Sequence, residues 1–185
     1  MLNPIFQPFP IVTTERLTLR QLHETDKHEM FVMRSNPTLM HFVPRPLAQN
    51  TEEAATLIAT MNEGISKNEM INFAITITGE NKLIGMVGYH RMQKEHFRAE
   101  IGYMLHGDYH GKRIMEEAIN AVLQYGFEEM KLHSIEAVIA PENISSIKLI
   151  EKCGFIKEAH FKDKEFVKGA FRDLLVYSKL TDVRI

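Results

Sequence analysis

A single cysteine, Cys153, is all the sulfhydryl chemistry the sequence has, which rules out an intramolecular disulfide and fits a reducing compartment. Net charge is also scarce. The 22 lysines and arginines against 24 aspartates and glutamates leave −2, with no global pull toward nucleic acid or an acidic membrane. No uninterrupted apolar run approaches the length of a membrane-spanning helix. The opening "MLNPIFQPFPIV" carries early prolines and no basic region, unlike a signal peptide. A cytoplasmic location is expected from these absences. No glycine-rich loop ends in the Lys-Ser/Thr pair of a P-loop, and the nine histidines form no compact ligand pattern. No metal, no direct nucleic-acid contact and no membrane partner are therefore expected; oligomeric state is not legible.

What is present is an ordinary globular composition, 44% hydrophobic and 25% charged over 185 residues, enough for one domain with a substantial core. No repeat or linker divides it, so a single domain over 1–185 with an N-terminal arm at 1–13 is expected. "RLTLRQL" alternates as a half-buried strand does. A helix is predicted over 24–36, stopped by Pro37, and the segment 37–50 reads as a loop. Asn50 and Glu53 have capping-box spacing before a helix over 51–65. The period then changes to that of strands at 71–78, 82–91 and 98–105. A helix follows from Ile114 to about Gly126, then a strand at 133–140, a short helix at 145–153, and strands at 155–161 and 171–180. This order is α+β, with a strand–helix–strand crossover near its centre.

Two details carry chemistry. Gly102 interrupts the strand "AEIGYML", where a glycine marks a bulge or a close packing contact; a bulge would free main-chain N–H groups just ahead of the next loop. That loop, "DYHGKRIMEEAI", opens a helix with Gly111, Lys112 and Arg113, although acidic residues suit a helix start better. Either the charges are simply solvated, or an anion such as a phosphate binds there.

Taken together, "TERLTLRQL", "KLIGMVGYH", "AEIGYML", "YHGKRIMEEAI" and "PENISSIKLIEKCGF" resemble the GNAT superfamily of acetyl-CoA-dependent N-acetyltransferases, RimJ/RimL type, over about Thr14 to Leu180. The resemblance implies a mostly antiparallel central sheet flanked by helices, with a splayed strand pair holding acetyl-CoA. It implies that Gly111, Lys112, Arg113 and Ile114 cradle the coenzyme's diphosphate, and that backbone N–H groups around Met104 and Leu105 bind the thioester or pantetheine. Asn143 and Ser146 would lie beside the pantetheine arm; the competing reading of Asn143 is a helix cap. Glu100 would be the catalytic base, its competing reading an ordinary salt bridge. The chain departs from the family pattern at Arg113, where a small residue is usual, and at Ile150, where many members carry a tyrosine acid. Cys153 reads as a small buried residue. The implied acceptor is a primary amine, foremost the α-amine of a protein such as a ribosomal protein. A small-molecule amine and a non-catalytic acyl-CoA-binding module are the alternatives.

Overall fold

The structure, a computed structural model, describes residues 1–181. Along the chain run β1 (Val12–Thr13), β2 (Leu17–Arg20), α1 (Lys27–Ser35), α2 (Thr51–Ser66), β3 (Ile71–Ile77), β4 (Gly85–Gln93), β5 (Arg98–Leu105), α3 (Ile114–Glu128), β6 (Ser134–Ile139), α4 (Ile144–Lys152), β7 (Ile156–Val167) and β8 (Ala170–Leu180). The strands form one sheet in the order β1-β2-β3-β4-β5-β6-β8-β7. Only β5 and β6 run parallel, and the α3 crossover that a parallel pair requires connects them.

Helices cover both faces. On one, α3 buries Ile114, Met115, Ala118, Ile119, Val122 and Leu123 in a large cluster that includes Phe73, Ile75, Val87 and Tyr89. On the other, Met30 and Met33 of α1 and Ala54 and Ile58 of α2 meet Ala74 and Met86. Ala74 and Met86 alternate with their larger-cluster neighbours, as period-two geometry requires. A buried ion pair braces the smaller layer: both terminal nitrogens of Arg20 reach the Asp26 carboxylate at 2.8 Å. Breaking such a pair from one side costs about 3–5 kcal/mol.

The structure departs from the sequence expectations at several points. The Asn50 side chain does accept the Glu53 N–H, but Glu53 reaches back to the Gln49 N–H, one residue earlier than a full box. β4 begins at Gly85, because Lys82–Ile84 belong to the connection even though Leu83 and Ile84 are buried. β7 continues to Val167, six residues past the expected end at Phe161. Gly102 is not a bulge. It lies opposite Gly88 in unbroken register, and the shift in the β4–β5 ladder falls between His90 and Gln93. An added Cβ at Gly102 would come within 2.9 Å of the His90 ring, so the glycine makes room for that imidazole.

Candidate active site

Strand divergence, in place of a bulge, opens the site. β5 pairs with β6 only through Arg98, Ala99 and Glu100; beyond Glu136, β6 follows β8 while β5 stays with β4. The His106 N–H donates to Ile84 O at 2.8 Å, on the β4 side. Alternation along the strand then turns the N–H groups of Ile101, Tyr103 and Leu105 toward the open edge and that of Met104 toward β4. Of the two candidates, Leu105 is the donor facing the gap. Its carbonyl is 3.0 Å from His110 Nε2.

The loop after β5 ends in two left-handed residues, Gly111 at φ +73° and Arg113 at φ +58°. A Cβ added at Gly111 would meet nothing within 4 Å, so the glycine answers the backbone angle and the space above it is open. Arg113 is the N-cap residue of α3 and supplies no side-chain cap. The first N–H groups of the helix are thus left for another acceptor. The acidic residues that favour a helix start are present one turn in, but each has its own cation. Glu116 receives Lys152 Nζ at 2.8 Å and Glu117 receives Arg16 Nε at 2.6 Å. Lys112 stays exposed, its Nζ 5.4 Å from the Tyr109 ring centroid.

Across the gap, Asn143 caps α4: its side chain accepts the Ser146 N–H at 3.2 Å and the Ser145 hydroxyl at 3.1 Å. The Ser146 hydroxyl lies 2.6 Å from that of Tyr103, which therefore bridges β5 to α4 where β5 and β6 part. Burial pushes the Tyr103 phenol up to about 12, against the opposing Ser146 hydrogen bond. Ile150 is fully buried in the main core, so it offers neither a proton nor access. Cys153 is buried too; burial, aided by Glu116, lifts its thiol to about 11 against Lys179 and Lys152. It is no nucleophile at neutral pH.

Glu100 lies on the opposite face of β5 from Tyr103. Its carboxylate is 3.2 Å from His90 Nε2 and receives Arg91 Nη1 at 2.9 Å. Burial alone would raise its pKa, but the hydrogen bond and charge of His90, together with Arg91, outweigh burial and hold it below the ordinary carboxylate range. The segments 35–49 and 163–173 are also brought together: Arg172 donates to Phe42 O at 3.1 Å while its Nε holds Glu165 at 2.8 Å. Tyr103, His90, Arg16 and Arg172 were not visible as site residues in the sequence. Each acts through a partner distant in the chain or across a strand pair, and no spacing rule encodes that. Among the described residues no group of three or more His, Cys, Asp or Glu is placed to hold a metal. No helix there is long and apolar enough to cross a membrane.

An open strand edge, an uncapped helix start and clear space over Gly111 suit an extended thioester that carries a diphosphate. Residues 16–156 match the model of the acetyltransferase (GNAT) domain. A Bacillus anthracis acetyltransferase of the GNAT family superposes with a TM-score of 0.83 at 31% identity, covering 92% of this chain and 98% of that one. Some relatives have named activities. The Vibrio cholerae spermidine N(1)-acetyltransferase is 28% identical over 86% of this chain and 90% of its own length. The Escherichia coli [ribosomal protein uS5]-alanine N-acetyltransferase is 26% identical over 88% and 86%.

Proposed function

Because the chain belongs to the GNAT acetyltransferase family, and so transfers acetyl groups from acetyl-CoA to nitrogen, we propose that its acceptor is the α-amine of a protein N-terminus, such as that of a ribosomal protein. The observation that carries this is the pairing of Glu100 with His90 at 3.2 Å and Arg91 at 2.9 Å. A carboxylate held below its ordinary range by His90 and Arg91 is a weak base. An α-amine, with a pKa of about 7.8, is already neutral in about one molecule in seven at pH 7. A lysine-type amine, with a pKa of about 10.4, is neutral about once in 2,500 and asks far more of the base. The Escherichia coli relative named as a [ribosomal protein uS5]-alanine N-acetyltransferase supports the same reading.

In this reading Glu100 takes the ammonium proton, directly or through water, on one face of β5. Leu105 N–H, on the open edge, receives the thioester or pantetheine; the turn at Gly111, Lys112, Arg113 and Ile114 holds the diphosphate; Asn143 and Ser146 flank the pantetheine arm. Met104 contributes its side chain to the α1–α2 layer beneath the acceptor side. The Tyr103–Ser146 hydroxyl pair donates a hydrogen bond to the departing sulfur. Full proton transfer from a phenol near 12 to a thiolate near 8.5 would be uphill by about 5 kcal/mol, so the sulfur's proton comes from solvent.

A mass-spectrometric competition tests the acceptor. One peptide has a free N-terminus and blocked lysine, a second has the reverse, and spermidine is the third acceptor. The α-amine peptide should be consumed first; preference for the lysine peptide or for spermidine would overturn the proposal.

A further inference from the structure

Arg16 precedes β2 and lies 96 and 97 positions from the loop it touches. Its Nη1 donates to Lys112 O at 3.1 Å and its Nη2 to Arg113 O at 3.4 Å, while Nε and Nη2 both lie 2.6 Å from Glu117 Oε2. The other oxygen of Glu117 accepts the Arg16 backbone N–H at 3.1 Å and the Thr14 hydroxyl. The guanidinium is thus anchored from α3 itself and spends its remaining donors on two consecutive peptide carbonyls.

A trans peptide is planar, with its C=O and N–H pointing in opposite directions. The unit whose carbonyl belongs to Lys112 carries the N–H of Arg113. The unit whose carbonyl belongs to Arg113 carries the N–H of Ile114. Holding the Lys112 carbonyl turns the Arg113 N–H away from Arg16; the Arg113 carbonyl also accepts the Glu117 N–H at 3.2 Å, so Arg16 and the first turn of α3 together direct the Ile114 N–H. Arg113 needs this help, since it holds a left-handed angle without glycine's freedom and brings no side-chain cap. Arg16 and Glu117 neutralise each other, so what Arg16 brings to an anion is chiefly direction.

We propose that Arg16 is a positioning residue for the diphosphate of acetyl-CoA: it holds the Lys112 carbonyl inward, and shares the Arg113 carbonyl with the first turn of α3, so that the Arg113 and Ile114 N–H groups face the ligand. This rests on the reading that the Gly111 turn holds the diphosphate. Glu117 orients Arg16, and Thr14 orients Glu117, so the opening strand and the helix start form one device.

The test compares Arg16→Ala and Arg16→Lys with the unaltered enzyme on two donors, acetyl-CoA and S-acetylpantetheine, the latter lacking the diphosphate. Calorimetry reads acetyl-CoA affinity independently of turnover. Arg16→Ala should raise the Kd about tenfold or more, as expected when hydrogen bonds to a charged group are misdirected. Its loss of kcat/KM should be much larger with acetyl-CoA than with S-acetylpantetheine. Lysine keeps the charge but lacks the planar fork that spans two carbonyls and a carboxylate, so it should not restore affinity. Equal losses with both donors, restoration by lysine, or an unchanged Kd would each overturn the proposal. Gly111→Glu in the same assay separates the two layers of inference. If it weakens acetyl-CoA while Arg16→Ala does not, only the role of Arg16 falls; if it leaves affinity intact, the diphosphate site lies elsewhere and both fall.

Discussion

Glu100 concentrates the chemistry at the scale of single residues. Its folded pKa is depressed by His90 and Arg91 despite the opposing effect of burial. A depressed carboxyl stabilises the fold above its unfolded pKa and loses that contribution as pH falls through the folded value. Glu100→Gln should therefore lower Tm at pH 7, with the deficit against the unaltered protein closing as both are acidified. Turnover should respond at the other end of the scale. Below the α-amine pKa the protonated amine must surrender its proton, and there the variant should be slowest. Above about pH 9 the free amine dominates and the loss should shrink. A uniform small loss across the profile would leave Glu100 as a structural ion pair. Glu100 was visible in the sequence as a strand carboxylate, but its partners were not: His90 faces it only because β4 and β5 pair in that register.

Elements explain why some readings worked. At the start of α4 the cap, the competing reading of Asn143, is made: its side chain accepts the Ser146 N–H. Asn143→Ala should cost about 1 kcal/mol, the usual loss of an N-cap. In a chain of this size that corresponds to a fall in Tm of about 2–4 °C. The same variant, tested by calorimetry, should also bind acetyl-CoA more weakly if its amide reaches the pantetheine arm; an unchanged Kd would leave it a cap alone. The end of β7 was not legible. "KDKE" reads as polar on both sides, and strand recognition depends on one buried face, whereas this segment is held chiefly by its hairpin with β8. Gly102, beside the gap, left two readings open for a related reason. A glycine in a strand has two uses, and the choice was made by the His90 ring against Gly102.

For the whole molecule, ligand binding and stability are linked, since a ligand that binds only the folded chain stabilises it by mass action. Acetyl-CoA at a hundred times its Kd should add about 2.7 kcal/mol. That is an increase in Tm of about 5–10 °C for a protein of this size, measurable by scanning calorimetry or dye-monitored melting. Gly111→Glu should abolish the increase; its side chain meets open space, but a non-glycine residue at φ +73° costs about 1–3 kcal/mol, so the ligand-free Tm should itself fall by several degrees. An equal increase in the variant would move the ligand away from α3.

The sequence by itself determined the α+β order, the helix and strand periods, the caps at Asn50 and Asn143, and the glycine turn before α3. Each is written in spacings of a few residues, where hydrophobic period and side-chain hydrogen bonding act locally. Tertiary structure alone decided that β5 and β6 part after Glu100 and Glu136, that Tyr103 meets Ser146, and that Arg16 grips the carbonyls of Lys112 and Arg113. These depend on which segments the sheet and its crossover bring side by side. The direction of a peptide N–H is set by whatever holds its carbonyl, and for the Arg113 N–H that group is Arg16, 96 residues from the Lys112 carbonyl it holds.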